Sequence, residues 1–509
     1  MPNLEELPES NRDLKNKVVQ GGAWSLGRML ITNVLNLGVM AILARELSPA
    51  EFGLVALASV IIHILTLLGT EGINQFIIHD HGTDWKERTH AAFWLDGFMS
   101  LAISLIGILL IPAITRFYTN PGLREILIVL IVVFPVRSLS KVPDAILRKN
   151  FEFKKLEIRD TILEIFIGVT SVTMALLGYG VWSLVIPGTI SSALRLLIVF
   201  KITSWRPEMH LYTNYWSKIF KYYANIMGNA LTSLIITDGD TLLIGKLLGN
   251  KMLGIYNMGW QSANIINRTI TGIGNKLALP ALSRVSNSLK QSKEVLYKIL
   301  KVSSTISFPA FVGLFVIADN FILVVYGSQW EASILPFRIL LVFAMRYAIN
   351  PPLGAYFQSI GRPDVTFKLG LVIVPFYLLG IWIGSFYGIV GVAVGVTIVR
   401  TVFGFVTFEL VARFLKVRFF DILKPLTPAF YASIIMGVFV FGIKMLLSLF
   451  LADNQLIMLL ILVISGILTY WLLLRNFFKA NALDLTETLK PLTGKYHSIA
   501  EKLLKTTAN

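Results

Sequence analysis

Four arginines lie inside apolar stretches of this sequence, and their side chains are the ones best suited to binding chemistry. A guanidinium group keeps its charge at physiological pH, and its paired N–H donors match the oxygens of a phosphate group. A charge in the middle of a bilayer is costly unless it faces water or a partner. We therefore interpret these four as candidate anion-binding residues of a polar cavity: Arg28, Arg137, Arg268 and Arg346.

A structural role is the alternative for each of these arginines. The guanidinium group could extend to the end of its helix, or it could pair with an acidic side chain. The acids available for such pairing are Glu71, Asp96, Glu164 and Asp238. Taken together, cations outnumber acids in the predicted membrane spans, which favours an anion-binding cavity. Three further cations are set apart because they are predicted near helix ends or outside the duplicated part of the chain: Arg195, Arg400 and Lys444.

Three carboxylates are candidates for binding a proton or Na⁺. Asp96 lies in the third predicted helix, and Asp238 and Asp240 lie in the seventh, which is unusually polar. A carboxylate in a polar helix can take up a proton or help to coordinate Na⁺. The alternative is a structural salt bridge to a nearby arginine. His63 is interpreted as a core or interface residue outside this set.

Other kinds of chemistry are excluded or disfavoured by the composition. The chain has no cysteine, which excludes a disulfide framework, a thiolate metal site and a cysteine nucleophile. Its six histidines have no HExxH spacing, so a zinc enzyme is disfavoured. The predicted outer loops are mostly short and carry no cluster of acids and bases. We therefore predict no catalytic residues, no metal site and no cofactor.

The elements that position these residues are membrane-spanning helices. Of 509 residues, 55% are hydrophobic and 15% are charged, and the mean hydropathy is +0.69, which does not fit a water-soluble chain. Because one span needs about 20 apolar residues, the apolar runs predict an all-α polytopic membrane protein with about 14 transmembrane helices. The spans are predicted at 18–43, 52–78, 90–115, 123–147, 160–178, 181–200, 222–244, 253–281, 302–325, 334–360, 369–388, 391–412, 425–450 and 456–474. Prolines predict bends in three of them: Pro135, Pro143, Pro351, Pro352 and Pro375.

The distribution of cations indicates the orientation of the chain in the membrane. Lys and Arg concentrate in the cytoplasmic loops of membrane proteins. With the N-terminus inside, the cytoplasmic segments hold 31 of these residues and the outer loops hold five. This asymmetry predicts that both termini are cytoplasmic, and it accounts for the net charge of +16 without a nucleic-acid partner. The polar N-terminal stretch lacks the features of a secretory signal.

Two alignments indicate an internal duplication. Residues 43–57 align with 244–258 at an offset of 201, and Arg137 aligns with Arg346 at an offset near 210. Helices one to six and seven to twelve are therefore predicted to form two lobes around a central cavity, related by a pseudo-two-fold axis along the membrane normal. The alternative to duplication is that the outer turns resemble one another only because all of them need Gly and Leu. The predicted divisions are an N-terminal tail (1–17), a first lobe (18–204), a linker (205–221), a second lobe (222–420), an added helix pair (421–478) and a cytoplasmic tail (479–509).

Five segments, taken in order, resemble a known family. They are Gly21–Ile61, Ala145–Asp160, Asp240–Gln261, Val324–Leu340 and Gly354–Lys368. Their order and spacing resemble the Wzx-type polysaccharide exporters of the multidrug/oligosaccharidyl-lipid/polysaccharide superfamily, nearest the branch of colanic acid and teichuronic acid exporters. Asp240 matches the acidic residue that the family carries before its Leu-Leu-Ile-Gly run.

This resemblance implies a flippase of the bacterial cytoplasmic (inner) membrane. Its substrate would be an undecaprenyl-pyrophosphate-linked oligosaccharide, which moves to the outer leaflet by alternating access while the four arginines contact the pyrophosphate. Coupling to H⁺ or Na⁺ is predicted from the three candidate carboxylates, and the expected partners are membrane lipid, a polysaccharide polymerase and glycosyltransferases. Two other transporter functions stay open, a lipid II flippase and a cation-coupled drug exporter. A membrane polymerase or acyltransferase is disfavoured by the short outer loops.

Overall fold

The computed structural model describes residues 32–69, 71–79, 82, 84–451 and 454–477. Helices joined by short turns make up this part of the chain, and no β-strand occurs within it. The described part begins with α1 (32–46), α2 (Pro49–Gly69), α3 (Glu71–His79), α4 (Trp85–Tyr118), α5 (Gly122–Leu139), α6 (Lys141–Lys149), α7 (Phe153–Leu176), α8 (Trp182–Ile202), α9 (Trp216–Leu247) and α10 (Gly249–Arg284). It continues with α11 (Leu289–Val316), α12 (Ala318–Val325), α13 (Ile334–Tyr347), α14 (Pro351–Ser359), α15 (Pro363–Ser385), α16 (Gly388–Phe414), α17 (Phe419–Leu423), α18 (Thr427–Ser448) and α19 (Gln455–Asn476).

The length and composition of these helices fit a membrane. Within the described ranges, ten helical stretches are long and apolar enough to cross a bilayer. This confirms the predicted all-α, multi-pass membrane fold, whereas the number fourteen stays a prediction. Each predicted span overlaps an observed helix, but four spans are divided between two helices. The divided spans are 52–78, 123–147, 302–325 and 334–360.

Two of the divided spans have the same construction. α5 is followed by the nine-residue helix α6, and α13 is followed by the nine-residue helix α14. α6 and α14 begin at residues 141 and 351, and α7 and α15 begin at 153 and 363, so both pairs share an offset of 210. The turn that follows each short helix contains a left-handed residue, Phe151 at φ +57° and Gly361 at φ +71°. The duplication predicted from the sequence is therefore present in the backbone.

The chain divides into two compact units, Met1–Gly254 and Ile255–Asn509. Buried apolar side chains of α3, α4 and α6 form a core in the first unit. In the second unit, the core is formed by α10, α11, α14 and α16, and α18 packs along α11. An apolar cavity of about 620 Å³ lies between α11, α18 and α19. The predicted domain boundaries follow the duplication and stay a prediction.

The segment between α8 and α9 is bound to the start of α4. The indole N–H of Trp94 donates to the carbonyl oxygen of Glu208 at 2.6 Å, and the backbone N–H of Glu208 donates to Nδ1 of His90 at 3.1 Å. The His90 ring also stacks on the ring of Trp205, with 5.2 Å between their centroids. Part of the predicted linker 205–221 is thus held against α4 by aromatic side chains and belongs to the first unit.

Two turns that the duplication relates meet within the first unit. Gly53, near the start of α2, lies against the carbonyl oxygen of Asn250, and Gly254, near the start of α10, lies against that of Pro49. A Cβ atom at Gly53 would be 1.9 Å from the first oxygen, and one at Gly254 would be 1.8 Å from the second. The contacts are equivalent at the offset of 201, because 53 corresponds to 254 and 49 to 250. A pseudo-two-fold axis produces such reciprocal contacts, and only glycine permits this close an approach. We call this pair of contacts the glycine crossing.

Candidate functional site

Two of the four candidate arginines occupy equivalent places in their helices. Arg137 lies in the last turn of α5 and Arg346 in the last turn of α13, each just before the break that divides its span. The two belong to different units, so their predicted convergence on one cavity stays a prediction. Arg28 lies outside the described residues, and so does the side chain of Arg268, whose backbone belongs to α10.

Arg137 lines a small cavity inside the first unit, whose wall is mostly apolar. Side chains of α2, α5 and α8 enclose about 150 Å³ at this point. The hydroxyl-bearing residues on its wall are Ser59, Thr189 and Ser192, and Gly188 leaves one side without a side chain. A cavity of this size can hold a few water molecules. The arrangement places a permanent cation and several hydroxyl groups around a space that suits a small polar group.

Arg346 is buried in the core of the second unit, with 8% of its surface exposed. Its Nη1 donates to the amide oxygen of Asn350 at 2.9 Å, and its guanidinium carbon lies 5.7 Å from the ring centroid of Phe343. Gly404 of α16 makes room for this group, because a Cβ atom there would be 1.6 Å from Nη1. The Nε atom has no hydrogen-bond partner in the described part of the chain.

A second guanidinium group, that of Arg400, lies beside Arg346. Arg400 is 5% exposed, and its Nη2 donates to the hydroxyl oxygen of Tyr377 at 2.7 Å. Its guanidinium carbon is 5.5, 5.0 and 4.6 Å from the ring centroids of Trp260, Phe343 and Tyr377. The reason for setting Arg400 apart is wrong, because the residue lies in the middle of α16, inside the duplicated part, whereas its rank as a site residue stays a prediction. Its aromatic neighbours are distant in sequence and gave no local signal.

The first unit contains a buried cluster in which the charges balance. Arg159 contacts Asp144 through Nη2 and Oδ2 at 3.2 Å and Asp160 through Nη2 and Oδ1 at 2.8 Å. Arg195 contacts the same two carboxylates, at 3.1 Å from Asp160 and 3.6 Å from Asp144. Two guanidinium groups therefore face two carboxylates. We call these four residues the paired cluster. Because its charges balance one another, removing one member would leave an uncompensated charge.

The three candidate carboxylates differ in their partners. Asp96 is fully buried, and its Oδ2 accepts a hydrogen bond from Ser138 at 2.7 Å. Asp240 is 2% exposed. Asp238 pairs with His63, with 2.7 Å between Oδ2 and Nδ1. No group of three or more His, Cys, Asp or Glu side chains that could bind a metal ion occurs in the ranges that the structure describes.

His63 is the functional candidate that the sequence did not reveal. Half of its side chain is exposed, and its contact with Asp238 joins α2 to α9. Its exposure does not fit a core role, whereas its contact with α9 is compatible with the predicted interface role. A histidine and a carboxylate in direct contact can exchange a proton. The partners are 175 residues apart, so no spacing in the sequence indicates their contact.

Comparison with known families gives one match that covers much of the chain. Residues 42–335 match the family described as polysaccharide biosynthesis proteins. This range is more than half of the chain, and it includes the glycine crossing, Arg137 and the pair of His63 with Asp238.

Individual relatives cover still more of the chain. WzxC, a lipopolysaccharide biosynthesis protein of Escherichia coli K12, is 25% identical over 436 residues, which are 83% of this chain and 84% of that protein. TuaB, a teichuronic acid biosynthesis protein of Bacillus subtilis 168, is 23% identical over 473 residues, or 91% and 96% of the two chains. Among solved structures, the lipid II flippase MurJ in an inward closed conformation has a TM-score of 0.74 at 16% identity, covering 90% of this chain and 99% of that one. At this identity, the structural likeness establishes the fold alone.

Proposed function

Because the chain belongs to the polysaccharide biosynthesis protein family, we propose that it is a flippase for an undecaprenyl-pyrophosphate-linked oligosaccharide. The oligosaccharide is a polysaccharide repeat unit, and it passes from the cytoplasmic to the outer leaflet of the bacterial inner membrane. The observation that carries this proposal is the family match over 42–335, which two polysaccharide biosynthesis relatives extend over at least 83% of the chain. The protein works as a transporter and not as an enzyme.

The physical task is to carry a polar head group through hydrocarbon. The polyprenyl tail is soluble in the bilayer, so only the diphosphate and the sugars need a polar path. Charged side chains inside spans are retained where they face such a path or a partner. The arginines of α5, α13 and α16 support a path that selects an anion. The proposed contacts of the pyrophosphate are Arg28, Arg137, Arg268 and Arg346.

The proposed mechanism is alternating access. The glycine crossing supports it, because it joins two turns that the predicted topology places on the outer side, with the carbonyl oxygens of Pro49 and Asn250 against glycines. Contacts without side chains can form and separate without rearranging a packed core. The breaks after α5 and α13 support bending within the spans, because interrupted helices have fewer internal hydrogen bonds to hold them straight.

The proposed energy source is a gradient of H⁺ or Na⁺ acting through Asp96, Asp238 and Asp240. The contact between His63 and Asp238 favours the proton, since both partners can bind one. In vesicles with an imposed gradient, Asp238→Asn should slow gradient-driven transport. Asp364→Asn is the control, because Asp364 is an exposed partner of Arg362. Equal transport with and without each gradient would contradict coupling.

The function is tested in a bacterium from which the gene for this chain is deleted. Lipid-linked repeat units should accumulate on the cytoplasmic leaflet, the surface polysaccharide should be lost, and the wild-type chain should restore it. Lipid II is the alternative substrate, and its transport would instead be needed for cell-wall synthesis. Normal surface polysaccharide together with a defect in cell-wall synthesis would favour lipid II and contradict the proposal.

A further inference from the structure

The second unit has no counterpart of the paired cluster, so no carboxylate of that kind is available to Arg346 and Arg400. In the first unit, Asp144 and Asp160 neutralise the guanidinium groups of the paired cluster. The offset of 210 that relates α6 to α14 and α7 to α15 brings these positions to Gly354 and Gly370. The duplicated helices of the second unit therefore carry no acid at either position.

The other acids of these helices are already paired elsewhere. Between residues 334 and 414 the sequence contains two acids, Asp364 and Glu409. Asp364 pairs with Arg362 at 2.8 Å, and Glu409 pairs with Arg413 at 2.6 Å, both near the ends of their helices. The partners of Arg346 are the Asn350 amide oxygen and the Phe343 ring, which are neutral.

An additional guanidinium group replaces a hydroxyl group in the second unit. The Tyr-Gly pair at 179–180, before α8, corresponds to the pair at 387–388, where α16 begins, at an offset of 208. This offset makes Arg400 the counterpart of Ser192, which lines the cavity beside Arg137. The place that holds one arginine and a hydroxyl group in the first unit thus holds two arginines in the second.

We infer that Arg346 and Arg400 form a diphosphate-binding site in the core of the second unit. Both guanidinium groups lie within 5.7 Å of the centroid of one ring, that of Phe343, so they can act on one ligand. Each can bind one phosphoryl group through paired N–H donors. The inference rests on the proposed function, since it adds Arg400 to the proposed pyrophosphate contacts and pairs it with Arg346.

Two features of Arg346 point to an anionic ligand. Its Nε is buried without a partner in the described part of the chain, and an unsatisfied buried donor is unfavourable. Its charge is buried without a carboxylate, which is costly in a core. A phosphate oxygen would satisfy the donor and balance the charge. Because Arg346 and Arg400 are more than nine-tenths buried, the anion reaches them only in a conformation that opens this core.

The test measures equilibrium binding to the full-length protein in lipid nanodiscs. One arm uses radiolabelled inorganic pyrophosphate in solution, and the other uses nanodiscs that contain labelled undecaprenyl pyrophosphate. Whichever probe the wild type binds, Arg346→Gln should weaken the binding of that probe at least tenfold. Arg338→Gln is the matched control, because Arg338 belongs to the same unit and already pairs with Asp319 at 3.2 Å.

Asn350→Asp provides a second variant with nearly the same shape. Asn350 accepts a hydrogen bond from Arg346, so an aspartate there would supply the missing negative charge inside the protein. It should weaken probe binding at least tenfold while leaving thermal stability equal or higher. This result is expected only if the site needs an anion, and it keeps the test valid if Arg346→Gln does not fold.

The two arms distinguish the sources of the anion. Binding of both probes assigns the site to any diphosphate, and binding of the lipid probe alone assigns it to the lipid carrier. Either result supports the site if both variants lose binding and Arg338→Gln retains it. Wild-type protein that binds neither probe, or Asn350→Asp protein that binds like the wild type, would overturn the inference. Transport of the whole substrate is measured separately, so a failed binding test leaves the proposed function standing.

Discussion

Replacing Gly53 by alanine should push apart the two turns of the glycine crossing. The new Cβ would lie 1.9 Å from the carbonyl oxygen of Asn250 and 2.8 Å from the backbone nitrogen of Gly254. Both contacts are to backbone, which cannot rotate away as a side chain can. The helix α2 or the start of α10 must therefore move.

The size of the effect follows from this overlap. Real Cβ atoms essentially never come closer than 3.0 Å to another heavy atom, so a contact at 1.9 Å must open by about 1.1 Å. Shifts forced by added methyl groups in packed regions cost roughly 1–3 kcal/mol. If only the closed arrangement of these turns bears this cost, the ratio of closed to open molecules falls by a factor of roughly 5 to 150.

Crosslinking measures the closed population directly, because the chain has no native cysteine. Cysteines at Ser48 and Asn250 should be joined in high yield by a short bifunctional thiol reagent, and a complete crosslink should stop transport. Adding Gly53→Ala to this pair should lower the yield. Gly122→Ala is the matched control, since its Cβ would meet other atoms only at 3.5 Å or beyond. If Gly53→Ala and Gly122→Ala both gave the wild-type yield, the crossing would not be a tight contact.

Three further outcomes are expected. Replacing both Arg137 and Arg346 by alanine should abolish export without loss of membrane insertion. Lysine at these positions should restore export only in part, because it lacks the planar guanidinium group. Full export by the double alanine variant would contradict the role of the two arginines. Arg159→Met should lower the unfolding free energy in detergent by about 3–5 kcal/mol, since it leaves two buried carboxylates with Arg195 as their one remaining arginine. Arg413→Met at an exposed pair should cost less than about 1 kcal/mol, and equal losses in the two variants would contradict the charge balance of the paired cluster. A cysteine at Ser48 should react with a membrane-impermeant maleimide added outside, and labelling only from the cytoplasm would reverse the topology.

The helices and their duplication could be predicted from the sequence because both depend on local patterns. Apolar runs of sufficient length indicate spans without any knowledge of packing. The offset near 210, inferred from Arg137 and Arg346, recurs in the observed starts of α6 and α14. The prolines at the start of α14 also indicated a break, because proline is tolerated at the first helical positions and disrupts a helix interior.

The pairing of charges could not be predicted from the sequence. His63 meets Asp238 because α2 packs along α9, and Arg400 meets Trp260 and Tyr377 because α16 packs on neighbouring helices. Each contact depends on the rotation of two helices about their axes, which hydropathy barely constrains when most faces are apolar. The position of Arg400 along its helix also failed to predict that its side chain is buried, since burial depends on which helix faces it.

The central claim is that this protein moves a lipid-linked oligosaccharide between leaflets, and one measurement tests it directly. Pure protein is reconstituted into vesicles that carry undecaprenyl-pyrophosphate-linked oligosaccharide in both leaflets, and an enzyme added outside modifies the sugars it can reach. About half of the substrate should be modified at once in vesicles without protein, and the remainder should follow when the wild-type chain is present. Arg137→Ala, Arg346→Ala protein should leave that remainder untouched. The account would be contradicted if half of the substrate stayed unmodified with the wild-type protein under an imposed H⁺ or Na⁺ gradient. It would also be contradicted if the double variant allowed the second half to be modified as fully as the wild type does.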